Sequence, residues 1–186
     1  MIQTELIQQQ TSQEFPENYT VVDIETTGLS PSRDEIIELS ALKIRNGNIK
    51  GEFSRLIKPE TPIGSFITRL TGISNDMVMT SPKIEEVLSE FTEFISDDVI
   101  LGHNVKFDLN FIRTNLEKCG FLPLKNNTAD TMTLARRYCK LKSHSLKNLA
   151  LHYNVSISGH HRALNDCLIT HNVYQNIKKE FSAAPN

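Results

Sequence analysis

Residues 36–58, I-I-E-L-S-A-L-K-I-R-N-G-N-I-K-G-E-F-S-R-L-I-K, decide the architecture. Two apolar, β-branched runs flank Asn46-Gly47, the dipeptide best suited to a two-residue hairpin turn, because both central positions of that turn take positive φ. Residues 36–45 and 49–58 are therefore expected as antiparallel strands. Upstream, residues 19–26 (Y-T-V-V-D-I-E-T) suit a buried strand, which makes three in succession. Downstream the period changes. Ser81-Pro82 opens a run in which Ile84, Val87, Leu88, Phe91, Phe94 and Ile95 share one helical stripe, with Glu85 and Glu86 near the positive end. A strand at Val99, a helix carrying Phe107, a short segment at Ala129, helices over 132–139 and 146–153, and a last helix follow. Antiparallel strands first, then strands alternating with helices, give an α/β domain: a mixed sheet of three antiparallel strands plus parallel strands, flanked by helices. One domain is expected over 18–181, between a loose or marginally helical arm at 1–17 and a short tail at 182–186.

Composition narrows the class. The chain has 186 residues, 39% of them hydrophobic, enough for one domain with a proper core. No apolar run reaches membrane-spanning length and no signal peptide is evident, so a cytoplasmic location without membrane contact is expected. Cys119, Cys139 and Cys167 are odd in number and lack metal or redox spacing, which fits small hydrophobes in a reducing compartment. The net charge of -2 is unevenly distributed. Residues 131–165 hold six basic residues (Arg136, Arg137, Lys140, Lys142, Lys147, Arg162) and no acidic one, leaving -8 on the remainder. Such a stripe suits either a solvated helix face or a track for a phosphate backbone.

The chemistry concentrates in three segments. Side chains two apart on a strand share a face, so Asp23 and Glu25 project together from the end of the first strand. Two carboxylates in low dielectric repel unless a cation or proton lies between them, and an all-oxygen donor set favours Mg²⁺ or Mn²⁺ over Zn²⁺. A D-x-E pair alone equally suits two solvated charges. Thr26, Thr27 and Gly28 form a small-residue turn whose N–H groups can approach a phosphate. In the second segment, residues 98–111, Asp108 falls early in the Phe107 helix, where it would also complement the helix dipole; His103 by itself suits a hydrogen-bonded structural role. In the third, a loop over 156–159 leads to His160, His161 and a helix. His161 stands at the helix entrance with Asp166 a turn and a half further on, placed to take a proton from water. His144, His152 and His171 fit no ligand spacing.

These segments carry a family resemblance. D-I-E-T-T-G-L, H-N-V-K-F-D and H-R-A-L-N-D, in that order, resemble the three motifs of the DEDDh subgroup of the DnaQ-like 3′-5′ exonucleases, which includes the proofreading domains of bacterial replicative polymerases. D-E-I-I-E-L-S-A-L-K-I from Asp34 and I-T-R-L-T-G-I-S from Ile67 resemble other parts of that domain, so the likeness extends over most of the chain. It implies a ribonuclease H-like fold, with Asp23, Glu25, Asp108 and Asp166 binding two divalent cations and His161 acting as general base. It further implies that Thr26, Gly28, Leu29, Thr71, His103, Asn104 and Phe107 lie near the terminal nucleotide. Relatives that use tyrosine place it four residues before the last aspartate; Arg162 stands there, so the histidine type is implied. The expected activity is two-metal hydrolysis of phosphodiester bonds at DNA 3′ ends, single-stranded or frayed, in proofreading or repair and with a polymerase as an expected partner. An exoribonuclease, or a non-catalytic nucleic-acid-binding or polymerase-docking module, are the competing expectations. With only a few residues after Glu180, a free-standing exonuclease or an excised domain is favoured.

Overall fold

A computed structural model describes residues 15–183. β1 (Asn18–Thr26), β2 (Ile36–Arg45) and β3 (Asn48–Leu56) form the expected antiparallel meander, and Asn46 and Gly47 take φ of 50° and 74°, as the hairpin turn requires. β4 (Ile100–Gly102) adds parallel to β1 and β5 (Thr128–Asp130) parallel to β4, giving the order β3-β2-β1-β4-β5. The mixed-sheet expectation holds.

Helices cover both faces. Val22 and Ile24 of β1 and Leu39 and Ala41 of β2 pack with α3 (Ile84–Ile95) and α4 (Lys106–Lys118), through Leu88, Phe91, Phe111 and Ile112. Tyr19, Val21, Leu42 and Ile44 face the other way, onto α5 (Thr131–Tyr138), α6 (Leu146–His152) and the long α7 (Ala163–Ala183). The alternation along β1 and β2 is the period-two signature of a sheet buried on both sides. Two short helices, α1 (Ser65–Thr71) and α2 (Asn75–Val78), were not expected from the sequence. Gly72 at φ 75° closes α1, and Ser74 accepts from Met77 N to start α2.

The first 14 residues of the expected arm lie outside the described residues, but its end is not loose. Phe15 is 1% exposed and its ring lies 5.2 to 6.0 Å from those of Tyr138, Tyr174 and Phe181, while Tyr174 Oη donates to Pro16 O. An aromatic residue beside a hydrophobic cleft is driven into it, so the packed domain begins before residue 18. At the other end α7 runs past the expected boundary at 181. Cys139 and Cys167 are buried free thiols, whereas Cys119 is half-exposed. Among the described residues no helix is long and apolar enough to cross a membrane.

Candidate active site

Asp23, Glu25, Asp166 and His161 gather at the carboxyl ends of the parallel strands, where open α/β sheets place their ligands. On the face of β1 that carries Tyr19 and Val21, the next two positions are Asp23 and Glu25, so the surface beneath α7 turns from hydrocarbon to carboxylate at the strand end. Asp166 comes down from the first turn of α7. Oxygens of Asp23, Glu25 and Asp166 lie within 4.8 Å of one another, although 143 positions separate the first from the last in sequence. Asp108, in the first turn of α4, is buried and accepts from Ile24 N at 3.2 Å; it stands outside that 4.8 Å group while acting on Asp23 electrostatically. Three of the four expected carboxylates therefore meet directly and the fourth flanks them.

This crowding has an electrostatic cost. Withdrawal from solvent, then Asp108, Asp166, Glu25 and Glu38, hold the Asp23 carboxyl well above the usual carboxylate range. Burial, with Asp166, Glu38 and Asp108, pushes Glu25 up to about 8, against a downward pull from Arg162. Asp108 is raised mainly by burial, opposed by its own and Ile24's N–H groups. Carboxylates that repel this strongly take up protons, or else a cation that satisfies several oxygens at once. The donor set of Asp23, Glu25 and Asp166, with Asp108 adjoining, fits a hard divalent ion.

The histidine loop is tied to the same cluster. Gly159 sits at φ 73°, and a Cβ there would lie 2.1 Å from Asn165 Nδ2, which donates to Gly159 O. His160 Nδ1 lies 2.6 Å from Asp166 Oδ1, while His161, at φ 69°, donates its backbone N–H to Asp166 Oδ2. The two rings stack with centroids 4.0 Å apart. The His160 ring is thus engaged by Asp166, and the half-buried His161 ring makes no hydrogen bond among the described residues. Burial, and then His160, hold the His161 imidazole below its usual value, so it is an unprotonated base at neutral pH.

The remaining expected residues divide. Thr26 donates to Gly28 O at 2.6 Å, and Gly28 leaves room for the Asp34 carboxylate, which a Cβ would meet at 2.5 Å. That carboxylate accepts from Ser30 N, so the turn after β1 is fixed from below and leaves Leu29 84% exposed. Asn104 is exposed at φ 61°, and Phe107 is half-buried with its ring 5.1 Å from that of Phe111. His103 Nδ1 is 2.9 Å from Thr131 Oγ1, which itself donates to Gly102 O, so His103 is the donor. Burial lowers the His103 ring to about 4, against upward pulls from Asp130 and the His144 backbone. Thr71 is turned into the fold. It is 4% exposed, its hydroxyl donates to Ile67 O and accepts from Ile73 N, and it shapes the end of α1.

Three contributors were not foreseen. His160 is one. Asp130 is the second: it accepts from Asn104 N and Met132 N through Oδ1 and from Thr133 Oγ1 through Oδ2, capping α5 and holding the turn after β4. The third is Glu38, a carboxylate within the apolar run of β2, 2% exposed and bound by Arg162. Arg162 therefore leaves the expected basic stripe, since its guanidinium is held by Glu38; Arg136, Arg137, Lys140, Lys142 and Lys147 are exposed.

The sheet order, the strand-end carboxylates and the histidine at the start of the last helix together describe a nuclease. The chain belongs to the exonuclease family, whose model, described as "Exonuclease", matches residues 20–174. DNA polymerase III PolC-type of Caldanaerobacter subterraneus subsp. tengcongensis is 45% identical over 157 residues, 84% of this chain and 11% of that protein. The PolC-type polymerase of Staphylococcus aureus is 44% identical over 149 residues, 80% of this chain and 10% of its own length. The chain thus spans about a tenth of the length of these relatives. Among solved structures, exonuclease X in complex with 5′ overhanging duplex DNA superposes with a TM-score of 0.72 at 26% identity, covering 89% of this chain and 94% of that one. E. coli exonuclease I in complex with a dT13 oligonucleotide shares the fold, with a TM-score of 0.79 at 18% identity over 89% of this chain and 42% of its own.

Proposed function

We propose that the domain is a divalent-cation-dependent 3′-5′ exonuclease of the DEDDh type, releasing nucleoside 5′-monophosphates from DNA 3′ ends in proofreading or repair, in the cytoplasm. The observation that carries this reading is the convergence of Asp23, Glu25 and Asp166 oxygens within 4.8 Å, in two groups that share Asp166, the second adding His160 and His161. The PolC-type relatives and the DNA-bound exonuclease X support DNA as substrate and a polymerase as the working context.

Asp23, Glu25, Asp108 and Asp166 are the residues that would hold two ions, Mg²⁺ or Mn²⁺. Such ions supply charge stabilisation at the phosphate and lower the pKa of water. His161, its ring unprotonated and making no hydrogen bond among the described residues, accepts the proton of the attacking water at a ring nitrogen, a contribution on the order of 10² to 10⁴ in rate. His160 holds Asp166 in place by its 2.6 Å contact. The exposed Leu29 offers an apolar surface to the terminal base; Thr26, Gly28, His103, Asn104 and Phe107 line the approach. Arg136, Lys140, Lys142 and Lys147 supply positive charge beside the site for upstream phosphates, Lys147 near enough to act on His161 and Arg136 on His103.

The test is digestion of 3′- and 5′-labelled DNA and RNA single strands with Mg²⁺, Mn²⁺ or chelator. The expected result is immediate metal-dependent release of labelled mononucleotide from 3′-labelled DNA, abolished by Asp23→Ala. Release that starts from the 5′ end, or digestion unchanged by Asp23→Ala, overturns the reading; faster digestion of RNA would make the domain an exoribonuclease.

A further inference from the structure

We infer that Glu38 and Arg162 are positioning residues of the exonuclease site: their ion pair fastens the histidine loop to the strand pair that carries Asp23 and Glu25. This rests on the proposed reading of His161 as the base.

Glu38 lies directly opposite Glu25 in the antiparallel register, and on β2 it follows the alternation of Leu42 and Ile44, so it points to the face beneath α7. A 2% exposed carboxylate in that place would become either another cation ligand or an uncompensated charge. It is neither. Oε1 accepts from Arg162 Nη2 at 2.8 Å and Nε at 3.3 Å; Oε2 accepts from Arg162 Nε at 3.2 Å and from Ala163 N at 3.0 Å. Both oxygens are committed, and Glu38 takes no part in either potential cation-binding group.

The position of these contacts in the chain matters most. Arg162 follows His161, and Ala163 is the first residue of α7, so Glu38 caps the positive end of α7 from a strand 125 residues away. Arg162 O in turn accepts from Asp166 N. A fork of donors on one carboxylate fixes direction as well as distance. The loop leaving Gly159 is held at one end by Asn165 and at the other by Glu38, with His160 and His161 between. His161 keeps φ 69°, a conformation a non-glycine residue adopts only when its surroundings impose it. Releasing the Arg162 end removes that constraint, and the His161 ring loses its fixed place beside the carboxylates. A residue acting this way lowers kcat and leaves substrate binding alone.

The test compares the wild-type domain with Arg162→Gln, Arg162→Lys, Glu38→Gln/Arg162→Gln, His161→Ala and His161→Ala/Arg162→Gln. The readouts are kcat and KM on a 3′-labelled strand, thermal melting, and hydrogen exchange of the segment 159–166. Arg162→Gln is expected to lower kcat about 10- to 100-fold with KM within threefold, and Arg162→Lys to restore part of the rate. In the His161→Ala background Arg162→Gln should have little further effect, because the residue acts through His161. Exchange of 159–166 should quicken in both Gln variants, a readout that needs no turnover. The double Gln variant leaves no buried unpaired charge, so it melts near wild type and carries the test should Arg162→Gln fail to fold. Multiplicative losses in the His161→Ala background, a change confined to KM, or unchanged exchange in the double variant overturn the inference. Wild type and Asp23→Ala in the same assay report separately on the exonuclease reading: an inactive wild type refutes that reading, and the exchange result then decides the cross-link alone.

Discussion

At the residue scale, two adjacent histidines divide two tasks. A sequence motif cannot tell neighbours apart by geometry, and H-H-R reads as one candidate base preceded by a loop residue. The structure separates them: the His160 ring is bound to Asp166, whereas the His161 ring stacks on it and makes no hydrogen bond among the described residues. His161→Ala should therefore lower kcat at saturating Mg²⁺ by about 10²-fold or more. His160→Ala should raise the Mg²⁺ concentration needed for half-maximal activity and lower kcat less, since it loosens a carboxylate and leaves the proton acceptor in place. A Mg²⁺ titration of each variant checks this, and a larger kcat loss in His160→Ala at saturating metal would exchange the two roles. Glu38 was illegible for a related reason. Its partner is 124 positions away, so the sequence shows only an acidic residue interrupting an apolar strand.

At the element scale, local rules predicted what local interactions determine. The Asn46-Gly47 hairpin, the stripe of α3 and the period of β1 follow from backbone and burial preferences within a few residues, and the observed spans agree closely with the expected ones. α1 and α2 escaped because short helices carry little periodicity; their only signals are caps, Gly72 and Ser74. Asp130 was legible in principle, since D-T-M-T places a capping residue at the start of α5, but its second bond, to Asn104 N, joins two elements and appears only in the fold. Through that bond the start of α5 holds the turn that follows β4. Asp130→Ala should cost about 1 to 2 kcal/mol of stability for the lost cap and the unmet N–H. It should also slow 3′-end digestion by displacing His103 and Asn104. Urea melts beside the digestion assay measure both, and a stability loss below about 0.5 kcal/mol would show that Asp130 supports neither element.

At the scale of the whole molecule, the fold spends stability to assemble its site, and that cost has a pH signature. In the metal-free protein Glu25 titrates at about 8 against an ordinary 4.5, with Asp23 and Asp108 raised as well. Between those pH values the native site retains protons that the unfolded chain has released, so stability falls as pH rises through this range. The histidines act in the opposite direction, but mostly lower down: His103, at about 4 instead of 6.5, adds most of its stability as pH climbs toward 6.5 and only about 0.4 kcal/mol above it. The carboxylates lowered by their partners, Glu35 and Asp98, have given their full contribution well before neutrality. From pH 6.5 to 8 the three raised carboxylates therefore outweigh the ends of the His103, His161 and His171 titrations. A single such group loses on the order of 2 kcal/mol over that interval; halved for solvent screening, about 1 kcal/mol remains, or roughly 2 to 4 °C in Tm for a domain of this size. In chelator, Tm should fall by that much between pH 6.5 and 8. Adding Mg²⁺ should raise Tm more at pH 8 than at 6.5, because the cation displaces fewer protons there. A metal-free Tm that stays level or rises across this interval would mean that the carboxylates titrate as if solvated, and that the cluster at the end of β1 does not form in solution.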